Sequence, residues 1–214
     1  MSRLKISSKE AKEVFGKLYD NIDGHSISNR GREAMKEADR KFLIYGEMPI
    51  SELEIIMKTP AIADDVKKAK VFYDLGSGTG KVVIGAALLF PTIEKVFGIE
   101  IVKTLYESSQ QVKEQLSSID RAAATRVEFI NDDFFNVNFS KPFPADIVLM
   151  HYPMKDAEEL YIRLEEKMRR ELKSGAIVIS SIRRLKNLKA FSEITNFAIK
   201  CSFGDVTIYF YRKI

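Results

Sequence analysis

A glycine-rich turn constrains this chain more than any other feature of its sequence. The segment 71–81 runs from apolar residues into the acid Asp74 and then into alternate glycines at Gly76, Gly78 and Gly80. Glycine permits a tight turn and a close approach of the backbone to a ligand, and the N-terminus of a following helix offers free N–H groups. The segment therefore predicts a ligand-binding turn between a β-strand and an α-helix, with a plain strand-to-helix turn as the alternative.

The spacing of the glycines separates three kinds of nucleotide site. Lys81 stands where the dinucleotide fingerprint requires its third glycine. Gly76 and Gly80 are one residue too close for a phosphate-binding loop, and Val82 replaces the Ser or Thr of that motif. The remaining pattern is D-x-G-x-G-x-G, and it predicts a site that starts with an acid.

Acidic residues also follow the next two predicted strands. Glu100 comes directly after the apolar run 96–99, where a carboxylate accepts hydrogen bonds from ribose hydroxyls. The third strand ends before Asp133 and Phe134, which we assign to an adenine amino group and to the face of the base. For Glu100 the alternative is a solvated strand end, and for Phe134 it is a place in the core.

Short β-rich runs alternate with helical segments from residue 71 onward. The predicted strands are 71–73, 96–99, 127–130, 146–150 and 176–180, with helices at 81–90, 103–118 and 156–172. Two further strand-like runs at 195–202 and 206–212 predict an antiparallel C-terminal hairpin. The fold class expected is α/β, a doubly wound and mostly parallel seven-stranded sheet of the Rossmann-like type.

The preceding residues form a small helical lobe in this interpretation. We expect residues 1–65 to be an N-terminal lobe and residues 66–214 to be the ligand-binding domain. Gly24 and Gly31 interrupt the lobe, so helices are predicted near Ser8, over 32–43 and over 51–58. Ser51 and Glu54 have the spacing of a capping box.

Charge and cysteine content exclude several classes of protein. The chain has 214 residues with a net charge of +4, which is weak evidence for a nucleic-acid partner. One cysteine, Cys201, allows no internal disulfide, and His25 and His151 are too far apart for zinc-ligand spacing. No apolar run is long enough for a membrane span. We expect an intracellular protein without a metal.

Two motifs together resemble one family. Asp74-Leu75-Gly76-Ser77-Gly78-x-Gly80 resembles the first motif of class I methyltransferases, and Ile44-Tyr45-Gly46-Glu47 resembles the Tyr-Gly-Glu stretch of the Dot-one-like (disruptor of telomeric silencing) histone-lysine methyltransferases. The resemblance implies S-adenosylmethionine as cofactor, with S-adenosylhomocysteine as product. It places Asp74 near the methionine amino end and the glycines, with Ser77, beneath the cofactor. It further implies that Ile44, Tyr45 and Glu47 fold over the cofactor and that Lys81 contacts it.

The sequence departs from the family pattern after the fourth strand. The family has paired asparagines followed by an aromatic residue, whereas this chain has Met150-His151-Tyr152-Pro153-Met154. We assign catalytic roles to Tyr45, His151 and Tyr152, with His151 accepting a proton directly or through water. Phe135 and Tyr209 are further candidates for an aromatic lysine channel.

Several functions remain open on these residues. A protein-lysine N-methyltransferase is favoured, with a histone or nucleosome as substrate and a nuclear location if that analogy holds, and a cytoplasmic one otherwise. Non-histone protein-lysine methylation and RNA methylation are alternatives, although His151-Tyr152-Pro153 lacks the amide or acid that base-amine methyltransferases carry there. A non-catalytic S-adenosylmethionine-binding scaffold is the third alternative.

Overall fold

The computed structural model describes residues 7–151, 154, 157–181, 183–201 and 204–214. The N-terminal part forms helices α1 Ser8–Tyr19, α2 Gly24–Glu33, α3 Glu37–Arg40, α4 Ile50–Met57 and α5 Ala63–Lys68. The strands are β1 Val71–Leu75, β2 Lys95–Ile99, β3 Val127–Ile130, β4 Ile147–His151, β5 Ile177–Ser181, β6 Phe191–Cys201 and β7 Gly204–Lys213. Between them lie α6 Lys81–Leu89, α7 Lys103–Ile119, α8 Arg121–Ala124 and α9 Glu158–Glu171.

The seven strands form one sheet in the order β3-β2-β1-β4-β5-β7-β6. Strands β1 to β5 pair in parallel with one another, and β7 pairs antiparallel with both β5 and β6. The predicted doubly wound sheet with an antiparallel C-terminal hairpin is thus confirmed. The strand order reverses between β1 and β4, so the carboxyl ends of β1, β2 and β4 border a crevice in which ligands bind in open α/β sheets.

Helices cover both faces of the sheet. Every residue of β1 is buried, as expected for a strand covered on both sides. On one face the N-terminal helices share a hydrophobic cluster with α6, which includes Phe15 of α1, Leu53 of α4 and Ile84 of α6. On the other face α9 contributes Leu164 and Met168 to a second cluster. In the ranges that the structure describes, no helix is both long and apolar enough to cross a membrane.

The prediction of a helix over 32–43 was wrong. Helix α2 begins at Gly24, where Asp23 accepts a hydrogen bond from the Ser26 amide at 3.0 Å, and it ends at Glu33. Gly31 lies inside this helix. A side chain does not fit there, because a Cβ on Gly31 would stand 2.1 Å from the Thr104 hydroxyl oxygen of α7. These glycines therefore permit close helix packing rather than interrupting the helix.

The predicted capping box at Ser51 was also wrong. Helix α4 begins one residue earlier, after Pro49, and no side chain caps it. Glu54 instead accepts a hydrogen bond from Ser8 at 2.7 Å and so joins α4 to α1. A capping box forms at α1, between Ser7 and Glu10.

Candidate functional site

A cavity of about 260 Å³ opens at the carboxyl ends of β1, β2 and β4. It adjoins a smaller cavity behind the glycine turn, and both share Tyr45, Gly76, Gly78 and His151. Of the residues predicted from the sequence, the larger cavity is also lined by Ile44, Glu100, Asp133 and Phe134. The smaller cavity is lined by Glu47, Asp74, Ser77 and Lys81. The fold therefore brings these predicted site residues together at the crevice.

The glycine turn has the backbone conformation that its sequence predicts. Gly76, Gly78 and Gly80 have φ angles of 80°, 56° and 87°, in the region that favours glycine. A Cβ on Gly78 would lie 2.9 Å from Cε2 of Tyr45, so the turn and the Tyr45 loop are in close contact. Gly80 lies at the start of α6 rather than in either cavity wall, and a Cβ there would stand 2.5 Å from the ring of Phe129.

Two buried carboxylates lie under the turn. Glu100 is 6% exposed and accepts hydrogen bonds from the backbone amides of Gly78 at 2.7 Å and Val102 at 2.8 Å. Burial raises the pKa of Glu100, while the Val102 and Gly78 amides oppose that rise. The acid thus fixes the glycine turn to the end of β2.

Asp74 is buried and incompletely satisfied. Its side chain is 1% exposed, and its Oδ1 atom has no hydrogen-bond partner among the described residues. Burial, and then the nearby Glu100 carboxylate, raise the pKa of Asp74 well above its ordinary value. A buried carboxylate oxygen without a donor costs free energy, and the arrangement suits a ligand that brings a cationic donor into the smaller cavity.

The loop that carries Ile44 is held over the glycine turn by side-chain contacts. The Tyr45 hydroxyl donates to Glu47 Oε1 at 2.7 Å and lies 3.3 Å from the Thr79 hydroxyl. Lys81 Nζ donates to the other Glu47 oxygen at 2.5 Å. We call this set of Tyr45, Glu47, Thr79 and Lys81 the loop latch. Burial raises the pKa of Tyr45, so its hydroxyl keeps its proton at neutral pH.

Aromatic residues after β3 form another wall of the larger cavity. Asp133 accepts a hydrogen bond from the Phe135 amide at 2.9 Å, and the rings of Phe134 and Phe135 lie 4.9 Å apart. The Arg163 guanidinium of α9 lies 4.4 Å from the centroid of the Phe135 ring. Phe135, a predicted channel residue, thus lies in the cavity wall rather than in the core interior.

His151 ends β4 and faces both cavities. Its Nδ1 atom lies 2.8 Å from the hydroxyl oxygen of Ser181, at the end of β5. Burial lowers the pKa of His151 to about 4, so the ring is neutral at pH 7. The predicted catalytic residue Tyr152 lies outside the described residues. Tyr209 stacks on Tyr211 within the hairpin and lines neither cavity.

Sequence reasoning missed the contribution of helix α2 to the cavity. Ser28 and Arg32 line it from one face of α2. The Ser28 hydroxyl and Arg32 Nε are buried without a hydrogen-bond partner in the described part of the chain. The signal was the helical spacing of the small residues Gly24, Ser28 and Gly31, but we interpreted the two glycines as interruptions instead.

Comparison with known proteins adds a family and a fold. The family model described as "Histone methylation protein DOT1" matches residues 34–203. A protein-lysine N-methyltransferase from Saccharolobus islandicus is 31% identical over 116 residues, which cover 54% of this chain and 63% of that relative. The match thus spans less than two thirds of the relative's length.

Solved structures show the same fold at low identity. An RNA methyltransferase from Salinibacter ruber in complex with S-adenosyl-L-homocysteine is 22% identical, covers 78% of this chain and 94% of its own, and has a TM-score of 0.57. Magnesium protoporphyrin IX methyltransferase from Synechocystis PCC 6803, with bound SAM, is 13% identical over 100% of both chains, with a TM-score of 0.59. With a class I methyltransferase fold and a family model that spans most of its length, the chain belongs to the histone methylation protein DOT1 family, a family of methyltransferases.

Proposed function

We propose that this protein transfers a methyl group from S-adenosylmethionine to the side-chain amine of a lysine in a protein substrate. The observation that carries the proposal is the buried Asp74 carboxylate, whose Oδ1 atom lacks a donor beside the smaller cavity. The cofactor has an α-ammonium group that supplies such a donor. Burial of an unpaired carboxylate is costly, and a bound ammonium removes that cost.

The remaining predicted residues fit the other parts of the cofactor. Glu100 would accept from the ribose hydroxyls, because each of its carboxylate oxygens retains a second lone pair beyond its backbone hydrogen bond. Asp133 would accept from the adenine amino group, and Phe134 would lie against the base. The glycine turn, Gly76-Ser77-Gly78, would pass beneath the cofactor, with the loop latch holding Tyr45 beside it.

The cofactor supplies an activated methyl group on a sulfonium, and the protein's task is to align an amine with it and to exclude water. A lysine amine of ordinary pKa near 10.4 is neutral in only about a few parts in ten thousand at pH 7. Aromatic walls at Tyr45 and Phe135 attract the cationic amine on entry and, by desolvation, favour its neutral form. The amine proton then leaves to solvent during entry.

His151 is unsuited to remove that proton. Moving a proton from an ordinary lysine ammonium to an imidazole with a pKa of about 4 is uphill by about 9 kcal/mol. We therefore assign His151 a hydrogen-bonding role in place of the proton-accepting role that the sequence suggested. Tyr45, which keeps its proton, closes the site and desolvates the amine.

A protein substrate is favoured over RNA because several arginines form ion pairs with acidic residues of the protein itself. Arginines of the basic runs 167–170 and 183–184 are paired with acids: Arg184 contacts Glu193 at 2.9 Å and Arg169 contacts Glu166 at 2.7 Å. Arg183 is likewise paired with Glu158. Such pairs neutralise the cations that phosphate groups require. The named activity of the Saccharolobus islandicus relative supports the same choice, and a histone or nucleosome is the first substrate to test within it.

The test is transfer of labelled methyl from S-adenosylmethionine to core histones, nucleosomes, total cell protein and total RNA. We expect label in protein and loss of that label with Asp74→Asn, which keeps the side-chain shape but removes the charge. Label in a histone band supports the histone substrate, and label in another protein supports a non-histone one. Label only in RNA contradicts the protein substrate, and cofactor binding without transfer to any sample supports a scaffold.

A further inference from the structure

Strands β4 and β5 place a serine directly beside the cavity histidine. His151 and Ser181 are register partners in the parallel pair, so their side chains lie on the same face of the sheet. The distance from Ser181 Oγ to His151 Nδ1 is 2.8 Å, and Ser181 is 3% exposed. Water therefore does not compete for this contact. The proposed function assigns roles to Asp74 and Glu100 but none to Ser181.

The contacts of Ser181 favour one arrangement of hydrogens. Its Oγ atom also lies 3.4 Å from the carbonyl oxygen of Met150, which accepts hydrogen bonds only. If the hydroxyl hydrogen points to that carbonyl, Nδ1 of His151 must carry a hydrogen and donate it to Oγ, and both contacts are satisfied. If the hydroxyl hydrogen points to Nδ1 instead, the contact with Met150 has no hydrogen.

The other ring nitrogen lies beside Gly46 at the site. A Cβ added to Gly46 would lie 3.9 Å from His151 Nε2, and Gly46 and His151 both line the two cavities. No hydrogen bond to Nε2 is formed within the described ranges. With the hydrogen on Nδ1, the Nε2 lone pair is directed to the region where the larger cavity meets the smaller one.

We propose that Ser181 is a positioning residue that fixes His151 as its Nδ1–H tautomer, so that Nε2 accepts a hydrogen bond from an N–H of the substrate amine. The identity of the amine rests on the proposed function, whereas the tautomer does not. No proton is transferred in this interaction: one amine hydrogen is held by Nε2, and the amine lone pair stays free and oriented. The pair would replace the amide that the family pattern has at this point of β4.

Nitrogen NMR tests the tautomer without any activity assay. The chain contains two histidines, so a His25→Gln variant assigns the signals of His151. In ¹⁵N-labelled protein at pH 7 we expect the shift of a protonated Nδ1 and an unprotonated Nε2. Ser181→Ala should move His151 toward the Nε2–H tautomer, and Ser181→Thr, which keeps the hydroxyl, should retain Nδ1–H. A wild-type ring protonated at Nε2, or a tautomer unchanged in Ser181→Ala, overturns the proposal.

Kinetics then separate positioning from a merely structural role. We expect Ser181→Ala to lower kcat/KM for the protein substrate by about tenfold, as for one lost hydrogen bond, with an unchanged Kd for S-adenosylhomocysteine. Ser181→Thr should recover most of the loss. An equal loss in cofactor affinity contradicts the positioning role. If the wild type transfers no methyl group to protein, the proposed function fails while the NMR result still decides the tautomer.

Discussion

A Cβ placed on Gly78 should disturb the site far more than one placed on Gly175, another glycine with a positive φ angle. Gly78 has a φ angle of 56°, and its added Cβ would lie 2.9 Å from the Tyr45 ring. Gly175 has a φ angle of 84° at the opposite end of the sheet, and nothing lies within 4 Å of its added Cβ. Alanine costs about 1–2 kcal/mol in the left-handed region, so this backbone cost should be similar in the two variants.

The difference between the two variants measures the contact with Tyr45 and with the bound cofactor. Displacing the Tyr45 ring disrupts its hydrogen bond to Glu47, worth about 1 kcal/mol, and crowds the cofactor surface. We expect Gly78→Ala to weaken S-adenosylhomocysteine binding about tenfold in calorimetric titration and Gly175→Ala to leave it unchanged. Thermal unfolding should show a loss of stability in both variants, larger in Gly78→Ala by about 2–4 °C for the additional ~1 kcal/mol lost at Tyr45. Equal affinities in the two variants would refute the placement of the cofactor over this turn.

Three further predictions concern charges at the site. Glu100→Gln should lower the free energy of unfolding by roughly 1–3 kcal/mol in urea and weaken cofactor binding. In the wild type both carboxylate oxygens accept from backbone N–H groups, and in the variant the glutamine NH₂ group would replace one of these acceptors. Lys81→Met should weaken S-adenosylhomocysteine binding by roughly fivefold, because it leaves the half-buried Glu47 without its cation. His151→Asn should change how the free energy of unfolding depends on pH. The folded-state pKa of about 4 lies below the ordinary value of 6.5, so protonation favours unfolding, and this residue's contribution should fall by up to about 3 kcal/mol as pH drops from 6.5 to 4.

A matched variant controls the Lys81 prediction, and a comparison with wild type controls the His151 prediction. Lys67→Met removes the cation of an exposed pair with Asp64 and should change nothing in cofactor binding. Urea unfolding of wild type and His151→Asn at the same series of pH values cancels the contributions of other groups. Parallel stability curves for those two proteins would contradict a neutral buried imidazole. Full cofactor affinity in Glu100→Gln or in Lys81→Met would contradict the respective contact.

The succession of strands and helices and the ligand-binding turn were predictable because both follow from local patterns. Apolar runs at regular intervals predict a parallel sheet, and the parallel sheet brings the ends of its strands to one edge. Asp74, Glu100 and Asp133 each lie within three residues of the end of a strand, so their convergence at that edge was predictable. Their individual contacts were not, because the hydrogen bond from the Gly78 amide to Glu100 depends on the conformation of the turn.

The features that were missed depend on contacts between distant segments. Gly24 and Gly31 were interpreted as helix breakers, but they are small because Tyr45 and Thr104 pack against them. Glu47 and Lys81 were each assigned to the cofactor by resemblance, but their contact with each other was not predicted, because only the fold brings these two distant positions together. The contact between His151 and Ser181 likewise depends on the register of β4 and β5, which a single sequence does not specify.

The central claim is that the acceptor is a lysine amine of a protein, and the chemical identity of the methylated product tests it most directly. Protein labelled by the wild-type enzyme from S-adenosylmethionine would be hydrolysed completely to amino acids and separated by chromatography. We predict that the label co-migrates with ε-N-methylated lysine and is absent when the Asp74→Asn variant is used. Label in methylated nucleosides, or in an amino acid other than lysine, would contradict the account.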